Sequence, residues 1–260
     1  MEKASIIIPA YNEEKRIGKT LESYGLYFNR LKLNKKIDYE LLVVINNTID
    51  NTENVVKTSM IRNPSIRYLN FKKGGKGFAV IEGFKDALTR DNSIIGFVDA
   101  DMSTPPEEYW KLISSLKKCD GVIASRYIAG SIVNPRQTFQ RIVVSRIFNG
   151  LIRIVLMMPY RDTQCGAKVF SRKTIEDNLN SLSMSKWAFD VDLIYSMKKK
   201  GFKIREVPTY WSDKEYSHIN FFKAGPWMAL GVIRLRLLNS PLKDLIRVYD
   251  KLLNKIWRLK

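Results

Sequence analysis

Between Ser5 and Leu116 the chain repeats one unit four times: a short aliphatic run, a polar turn, and a segment whose apolar residues recur every three or four positions. The runs are Ser5–Ile8, Glu40–Ile45, Ile66–Asn70 and Ile94–Val98. The periodic segments are the stripe Ile17, Leu21, Tyr24, Phe28 and Leu31, with Asn12 as its expected cap, then Asn54–Ile61, Gly77–Leu88 and Pro106–Leu116. Short runs read as strands and the periodic segments as helices, and their alternation predicts an α/β fold with a mostly parallel central sheet flanked by helices, Rossmann-like in its winding. Ligands of such sheets bind beyond the carboxyl ends of the strands, where Pro9, Asn46, the turn Gly74–Gly77 and Asp99 all fall.

The chain has 260 residues, 45% of them hydrophobic, enough to bury one sizeable core. Its 44 Lys and Arg against 26 Asp and Glu leave a net charge of +18, beyond what solubility requires, and imply a polyanionic partner: nucleic acid, a phosphorylated small molecule or an anionic membrane. Cys119 and Cys165 make no disulfide framework, and no Cys/His pair has metal-binding spacing, which fits a reducing cytosol. The N-terminal apolar run is five residues long and soon followed by acids, unlike a signal peptide or an anchor. The longest apolar tract, Ile142–Pro159, is broken by Arg146, Asn149 and Arg153, too interrupted for a spanning helix. The expected location is peripheral, on the cytoplasmic face of a membrane.

Beyond a strand at Gly121–Ser125 the character changes. From Gly121 to Arg161 there are six arginines, no lysine and no acid. Further strands are expected at Ala167–Phe170 and Lys203–Val207, with a helix at Phe189–Lys199 between them. In Phe139–Met158 a wide apolar face is bordered by Arg146 and Arg153, which suits either a buried helix or one lying in a headgroup region. A second stripe, Leu242, Leu245, Tyr249, Leu252, Ile256 and Leu259, follows Ser240 and Pro241, and Phe221–Lys260 holds nine Lys or Arg against two Asp. These features divide the chain into a domain at 1–220, with a nucleotide-binding half at about 1–125 and an acceptor half at about 126–220, and a basic, amphipathic, membrane-associating helical appendage at 221–260.

The chemistry concentrates in FVDADMSTPP, residues 97–106. Two aspartates one residue apart at the mouth of a strand can hold a hard cation such as Mg²⁺ or Mn²⁺, which leans on substrate phosphates for its remaining ligands. Either carboxylate can instead cap the helix entered at Pro105–Pro106, although Ser103 and Thr104 are better placed for that. The turn Lys72–Gly77 is basic and glycine-rich, a solvated turn or a phosphate cradle, and it lacks the Walker spacing.

In order and spacing, SIIIPAYNEE, the DxT of Asp50–Thr52, GGKGFAVIEGF, DADMSTPP, ASRY, DTQCGAKVF and WAFDVDLIY resemble the family 2 glycosyltransferases of GT-A fold that act on polyprenyl phosphates. Dolichyl-phosphate glucosyltransferases are nearest, then dolichol-phosphate mannose synthases. The likeness covers about residues 4–215. It implies a DxD site in which Asp99 and Asp101 bind the metal and the sugar nucleotide, with Pro9, Tyr11, Glu13, Asn46, Lys76 and Gly77 lining the nucleotide pocket. Arg126, Arg141 and Lys168 are expected on the acceptor phosphate, and Asp101, Asp162, Asp190 and Asp192 in the chemistry. The implied reaction is inverting transfer of a hexose from a nucleotide sugar, UDP-glucose first, to dolichyl or polyprenyl phosphate, with Mg²⁺ or Mn²⁺ as cofactor. Two positions depart from the family pattern: Asn46 stands where an acid is usual, and Ser103 where mannose-synthase relatives often carry glutamine.

A phosphate monoester is already nucleophilic at neutral pH and needs cations to position it rather than a base. A relative acting on a saccharide hydroxyl would instead need Asp190 or Asp192 as base. Use of GDP-mannose and a catalytically dead relative are further readings. A nucleic-acid-binding protein is the non-enzymatic reading, but the arginines alternate with aliphatics rather than stacking aromatics and no nucleic-acid partner is expected.

Overall fold

The computed structural model describes residues 1–135, 139–182, 189–212, 221–241, 243–246 and 249–250; the side chains at 139–141 and 221–228 lie outside that description. The chain opens with β1 (Lys3–Ala10), α1 (Ile17–Leu33), β2 (Asp38–Asn46), α2 (Thr52–Arg62), β3 (Ile66–Phe71), α3 (Lys76–Leu88), β4 (Ile94–Phe97) and α4 (Pro106–Ser115). The four expected strand–helix units therefore form, each within a few residues of its sequence bounds. There follow β5 (Gly121–Ser125), β6 (Ile132–Val133), α5 (Phe139–Val155), β7 (Lys168–Ser171), α6 (Arg172–Asn178), α7 (Phe189–Lys199), β8 (Ile204–Pro208), β9 (Tyr210–Trp211) and α8 (Phe221–Leu238).

Seven strands make one sheet in the order β3-β2-β1-β4-β7-β5-β8, and β6 and β9 pair in a small second sheet. Neighbours are parallel except at β7, which runs antiparallel to both β4 and β5. β1 and β2 are buried along nearly their whole length, as strands covered on both faces must be, which explains why their sequences read as unbroken aliphatic runs rather than alternating ones. Successive side chains still point to opposite faces. Ile6 and Ile8 join Leu21, Tyr24, Phe28 and Tyr109 under α1 and α4. Ile7 joins Val80 and Phe84 of α3, Leu193 and Ile194 of α7 and Ile152 of α5 on the other side.

Three local readings are corrected. Asn12 does not cap α1: it stands at φ +53°, its side-chain oxygen accepts from the Ile49 N–H, and the residue before the helix is Arg16. α4 is preceded by Pro105 with no side-chain cap, so neither aspartate nor Ser103 nor Thr104 serves it. Proline supplies the first turn itself, because its missing N–H would have no partner there. The segment from 221 is also not detached from the core. Val232 and Leu235 of α8 are buried in the same cluster as Phe148 and Ile152 of α5, and Arg234 makes a two-pronged ion pair with Asp250 at 2.8 and 2.9 Å. Of the expected C-terminal stripe, Leu242, Leu252, Ile256 and Leu259 lie outside the described residues. No described helix is long and apolar enough to cross a membrane.

Candidate functional site

The loop that leaves β4 carries Asp99 and Asp101, and α1 holds it from below. The Thr20 hydroxyl donates to the Ala100 carbonyl at 2.6 Å and the Tyr24 hydroxyl to the Thr104 carbonyl at 2.8 Å, both inside the protein. Each contact satisfies a buried backbone carbonyl that would otherwise cost about 1–3 kcal/mol. Within the loop the Asp101 carboxylate accepts from the Ser103 N–H at 2.9 Å, an Asx turn that leaves its second oxygen uncommitted by that bond. Asp99 is pressed from the other side by the DTQCG loop: a Cβ placed on Gly166 would lie 1.7 Å from Asp99 Oδ2.

Across the rim, α3 and α7 bring in the opposite charges. Lys76, the first residue of α3, sets its ammonium 2.8 Å from Asp99 Oδ1 and 3.6 Å from Asp190 Oδ2. Lys168, fully buried on β7, donates to the other Asp190 oxygen and to the Cys165 carbonyl, both at 2.6 Å. The ring of Phe97 lies beneath both ammonium groups, with its centroid 5.5 Å from Lys76 Nζ and 5.1 Å from Lys168 Nζ. Gly77 is glycine because α3 closes onto α7, where a Cβ would meet the Phe189 ring carbons at 2.8–2.9 Å.

These neighbours set the protonation states. Burial is the largest influence on Asp190 and pushes its carboxyl up, but Lys168 and Lys76 together outweigh it and hold the group below its ordinary value of 3.8. Burial likewise raises Asp99, and the nearby Asp101 and Asp190 charges add to this against the opposing pull of Lys76, so Asp99 ends above 3.8. Burial works against the Lys76 ammonium, yet Asp190, Asp99 and Asp101 raise it overall. Glu13 is raised by burial despite its ion pair with Arg16 at 2.7 Å.

Where nucleotide contacts were expected, the turn after β1 is stitched to the turn after β2 by side chains. Backbone N–H groups of Asn12, Glu13 and Glu14 donate to Thr48, Thr52 and Asp50. The Asp-x-Thr element thus braces the rim, with Asp50 also accepting from the Thr52 hydroxyl and N–H. Pro9 is half-buried, and Tyr11 beside it is 54% exposed. Asn46 is buried and spends its amide on backbone: it donates to the Ala10 carbonyl and accepts from the Gly75 N–H, each at 2.9 Å. It fixes the glycine turn against β1.

Where acceptor contacts were expected, Arg126 is gripped by Asp162, whose carboxylate is fully buried and accepts from Arg126 Nε at 2.7 Å, Nη2 at 3.0 Å and the backbone N–H at 3.0 Å. The guanidinium stacks between Tyr127 and Trp211, and Arg146 of α5 lies on the Tyr127 ring at 4.6 Å. Asp192, though only two residues from Asp190, is buried on α7 and acts electrostatically on Arg234 of α8. Arg141 belongs to α5, and its side chain lies outside the described residues.

Asp99, Asp101, Lys76, Gly77, Lys168 and Asp190 thus converge on one cluster. Glu13 is near enough to feel both aspartates, and Arg126 and Asp162 form a second centre. Thr20, Tyr24, Gly166, Phe97, Tyr127 and Trp211 complete the arrangement and were not singled out from sequence. Gly166, Phe97 and Tyr127 did lie within the motifs above, whereas Tyr24 looked like an ordinary member of a helical stripe and Thr20 carried no signal. A groove of about 520 Å³ between α1 and α2, bordered by Leu21, Leu26, Val55 and Ile66, contains none of the expected site residues. Among the described residues no three His, Cys, Asp or Glu side chains gather as a metal cage. Two carboxylates on one loop fit a Mg²⁺ or Mn²⁺ ion that keeps waters and takes substrate phosphate oxygens, and do not suit a structural zinc.

Known proteins agree with this geometry. The chain is 27% identical to a dolichyl-phosphate beta-glucosyltransferase of Dictyostelium discoideum, over 98% of this chain and 76% of that one. It is 29% identical to one of Drosophila melanogaster, over 98% and 77%. Among solved structures, glucosyl-3-phosphoglycerate synthase of Mycobacterium tuberculosis, in complex with Mn²⁺, UDP and glucosyl-3-phosphoglycerate, superposes with a TM-score of 0.64 at 20% identity, over 91% of this chain and 79% of that one. That likeness establishes the GT-A fold. The family model for glycosyl transferase family 2 matches residues 5–179, a span running from β1 through the DxD loop and the DTQCG loop to the end of α6, and the chain belongs to that family.

Proposed function

We propose that the protein transfers glucose from UDP-glucose to a dolichyl or polyprenyl phosphate, with inversion at the anomeric carbon. The observation that carries this reading is the state of Asp190. Its carboxylate is held by two ammonium groups and is a weaker base than an ordinary aspartate. Asp162 is bound three times by Arg126, which commits its carboxylate to holding that guanidinium. Asp190 and Asp162, both tied up by cations, suit an acceptor that needs no base, and a phosphate monoester is such an acceptor. The names of the relatives point to the same pair, dolichyl phosphate and glucose.

In this reading Pro9, Tyr11 and Glu13 border the uridine, and Asn46 acts through the glycine turn it holds. Lys76 and the N-terminus of α3 face the diphosphate, where helix polarity favours negative charge. Asp99 and Asp101 would hold the divalent ion, which when bound offsets charge developing on the departing diphosphate. An oxygen of the acceptor phosphate attacks the anomeric carbon on the face opposite UDP, the bond from that carbon to the β-phosphate oxygen breaks, and its electron pair leaves with UDP. Arg126 presents the donors it does not spend on Asp162 to the acceptor phosphate, and Arg146 adds charge from α5. Lys168 acts through Asp190 rather than by touching the phosphate, because it is fully enclosed.

The acceptor reaches the site from a membrane surface. α5 turns outward a stripe of Val143, Arg146, Ile147, Arg153 and Ile154, with Ile147 68% and Ile154 80% exposed. Apolar groups bordered by arginines suit the headgroup region of an anionic bilayer.

The pH dependence of kcat tests the acceptor assignment. Rate should fall as the acceptor phosphate gains its second proton, near about pH 6, and Asp190→Asn should lower the rate without moving that limb. An acidic limb that vanishes in Asp190→Asn would mean that a side-chain base, and hence a hydroxyl acceptor, is at work.

A further inference from the structure

The contact between Lys76 and Asp99 has a consequence for how the site fills. Asp99 offers two oxygens: Oδ1 is 2.8 Å from the Lys76 ammonium, and Oδ2 lies against Gly166 so closely that a single methyl there would overlap it. Asp99 keeps about 37% of its side chain exposed, and a cation approaching its Oδ1 meets a positive charge already in place. Lys76 is not fixed there by packing, since about a third of its side chain is exposed and its Nζ reaches Asp190 as well.

The charges point the same way. Asp99, Asp101 and Asp190 face Lys76 and Lys168, which leaves the cluster one negative charge in excess. A divalent ion entering alone would reverse that sign. An ion entering with a donor diphosphate, itself doubly negative, leaves it unchanged, and the diphosphate provides at the N-terminus of α3 a new anionic partner for Lys76. Two cations no longer compete for one carboxylate.

We infer that Lys76 is a positioning residue that occupies the metal's carboxylate in the empty enzyme and surrenders it when a nucleoside diphosphate arrives, so that metal and donor enter as a coupled pair. The inference rests on the assignment of Asp99 to the metal. Its effect is on metal affinity without nucleotide, which a merely structural lysine would not raise when removed. By reciprocity, whatever the diphosphate does for the metal the metal does for the diphosphate.

The test is Mn²⁺ binding to the full-length protein, followed by electron paramagnetic resonance of the free ion with no nucleotide present, and by equilibrium dialysis with saturating UDP. Lys76→Met and Lys76→Gln should each bind Mn²⁺ alone about fivefold or more tightly than wild type, with a correspondingly smaller gain when UDP is added. Nucleotide-free affinity that is unchanged or weaker in both variants, while Asp99→Asn abolishes binding, would overturn the role of Lys76. Mn²⁺ binding that survives in Asp99→Asn would instead overturn the metal assignment beneath it.

Discussion

Gly166 has no side chain because Asp99 leaves no room for one, and the consequence is measurable. Gly166→Ala should drive the DxD loop and the DTQCG loop apart, abolishing turnover even though the substitution adds one methyl group at the edge of the core. Asp101→Asn tests charge alone: it is isosteric and should keep the fold while removing metal-dependent nucleotide binding. Lys168→Met leaves the buried Asp190 carboxylate with Lys76 as its remaining ammonium partner and should destabilise the protein by about 3 kcal/mol, read as a lower denaturant midpoint. Asp190 also fixes a sign for acid stability. Its folded pKa lies below the ordinary 3.8, so its ion pairs stabilise the fold above that pH and the contribution is lost as pH falls through the lower folded value. Asp190→Asn should flatten stability against pH in that acid window; a profile that coincides with wild type would contradict the pairing. Cys165, enclosed and pushed up to about 12 by burial, should resist alkylation at pH 8 in the folded protein, with the more accessible Cys119 labelled first.

Elements were readable where one period dominated. The buried parallel strands and the stripe Ile17, Leu21, Tyr24, Phe28 and Leu31 follow from aliphatic runs and three- and four-residue spacing, and the structure buries every one of those helix residues. The direction of β7 was not readable: four residues, Lys168–Ser171, carry no polarity signal, and its antiparallel course depends on where α5 returns the chain. The lysine within that strand was legible as a cation of the site, but its enclosure beneath Asp190 depends on α7, more than twenty residues away in sequence. Asp99 and Asp101 stood out because carboxylates at the end of an apolar run demand a reason, whereas the Tyr24 hydroxyl is hidden in a stripe that looks purely apolar and Thr20 beside it carries no signal. The α5 stripe separates two roles for one helix, since Phe148 and Ile152 are buried while Ile147 and Ile154 face outward. Ile147→Glu with Ile154→Glu should therefore weaken binding to vesicles containing anionic lipid while leaving UDP affinity unchanged, as sedimentation and calorimetry would read; equal loss of both would mean that the stripe belongs to the core.

The whole chain carries +18, and its fold places a cluster of ionised groups on the rim at the end of the central strands β4 and β7, with an outward-facing stripe of arginines and aliphatics on α5. Long-range attraction to an anionic surface is screened over about 10 Å at 0.1 M salt, so association with vesicles should weaken as salt rises while metal-dependent UDP binding changes little. Charge at this level explains attraction and not chemistry; in the proposed reaction the chemistry depends on a phosphate acceptor meeting a nucleotide sugar at Asp99 and Asp101. The most direct measurement is transfer of labelled glucose from UDP-glucose to a short polyprenyl phosphate in the presence of Mg²⁺ or Mn²⁺, with Asp101→Asn alongside. A lipid-extractable glucosyl product that requires the metal and is absent with Asp101→Asn is the predicted result. Folded protein that leaves the lipid phosphate unlabelled but glucosylates a saccharide hydroxyl would contradict the account.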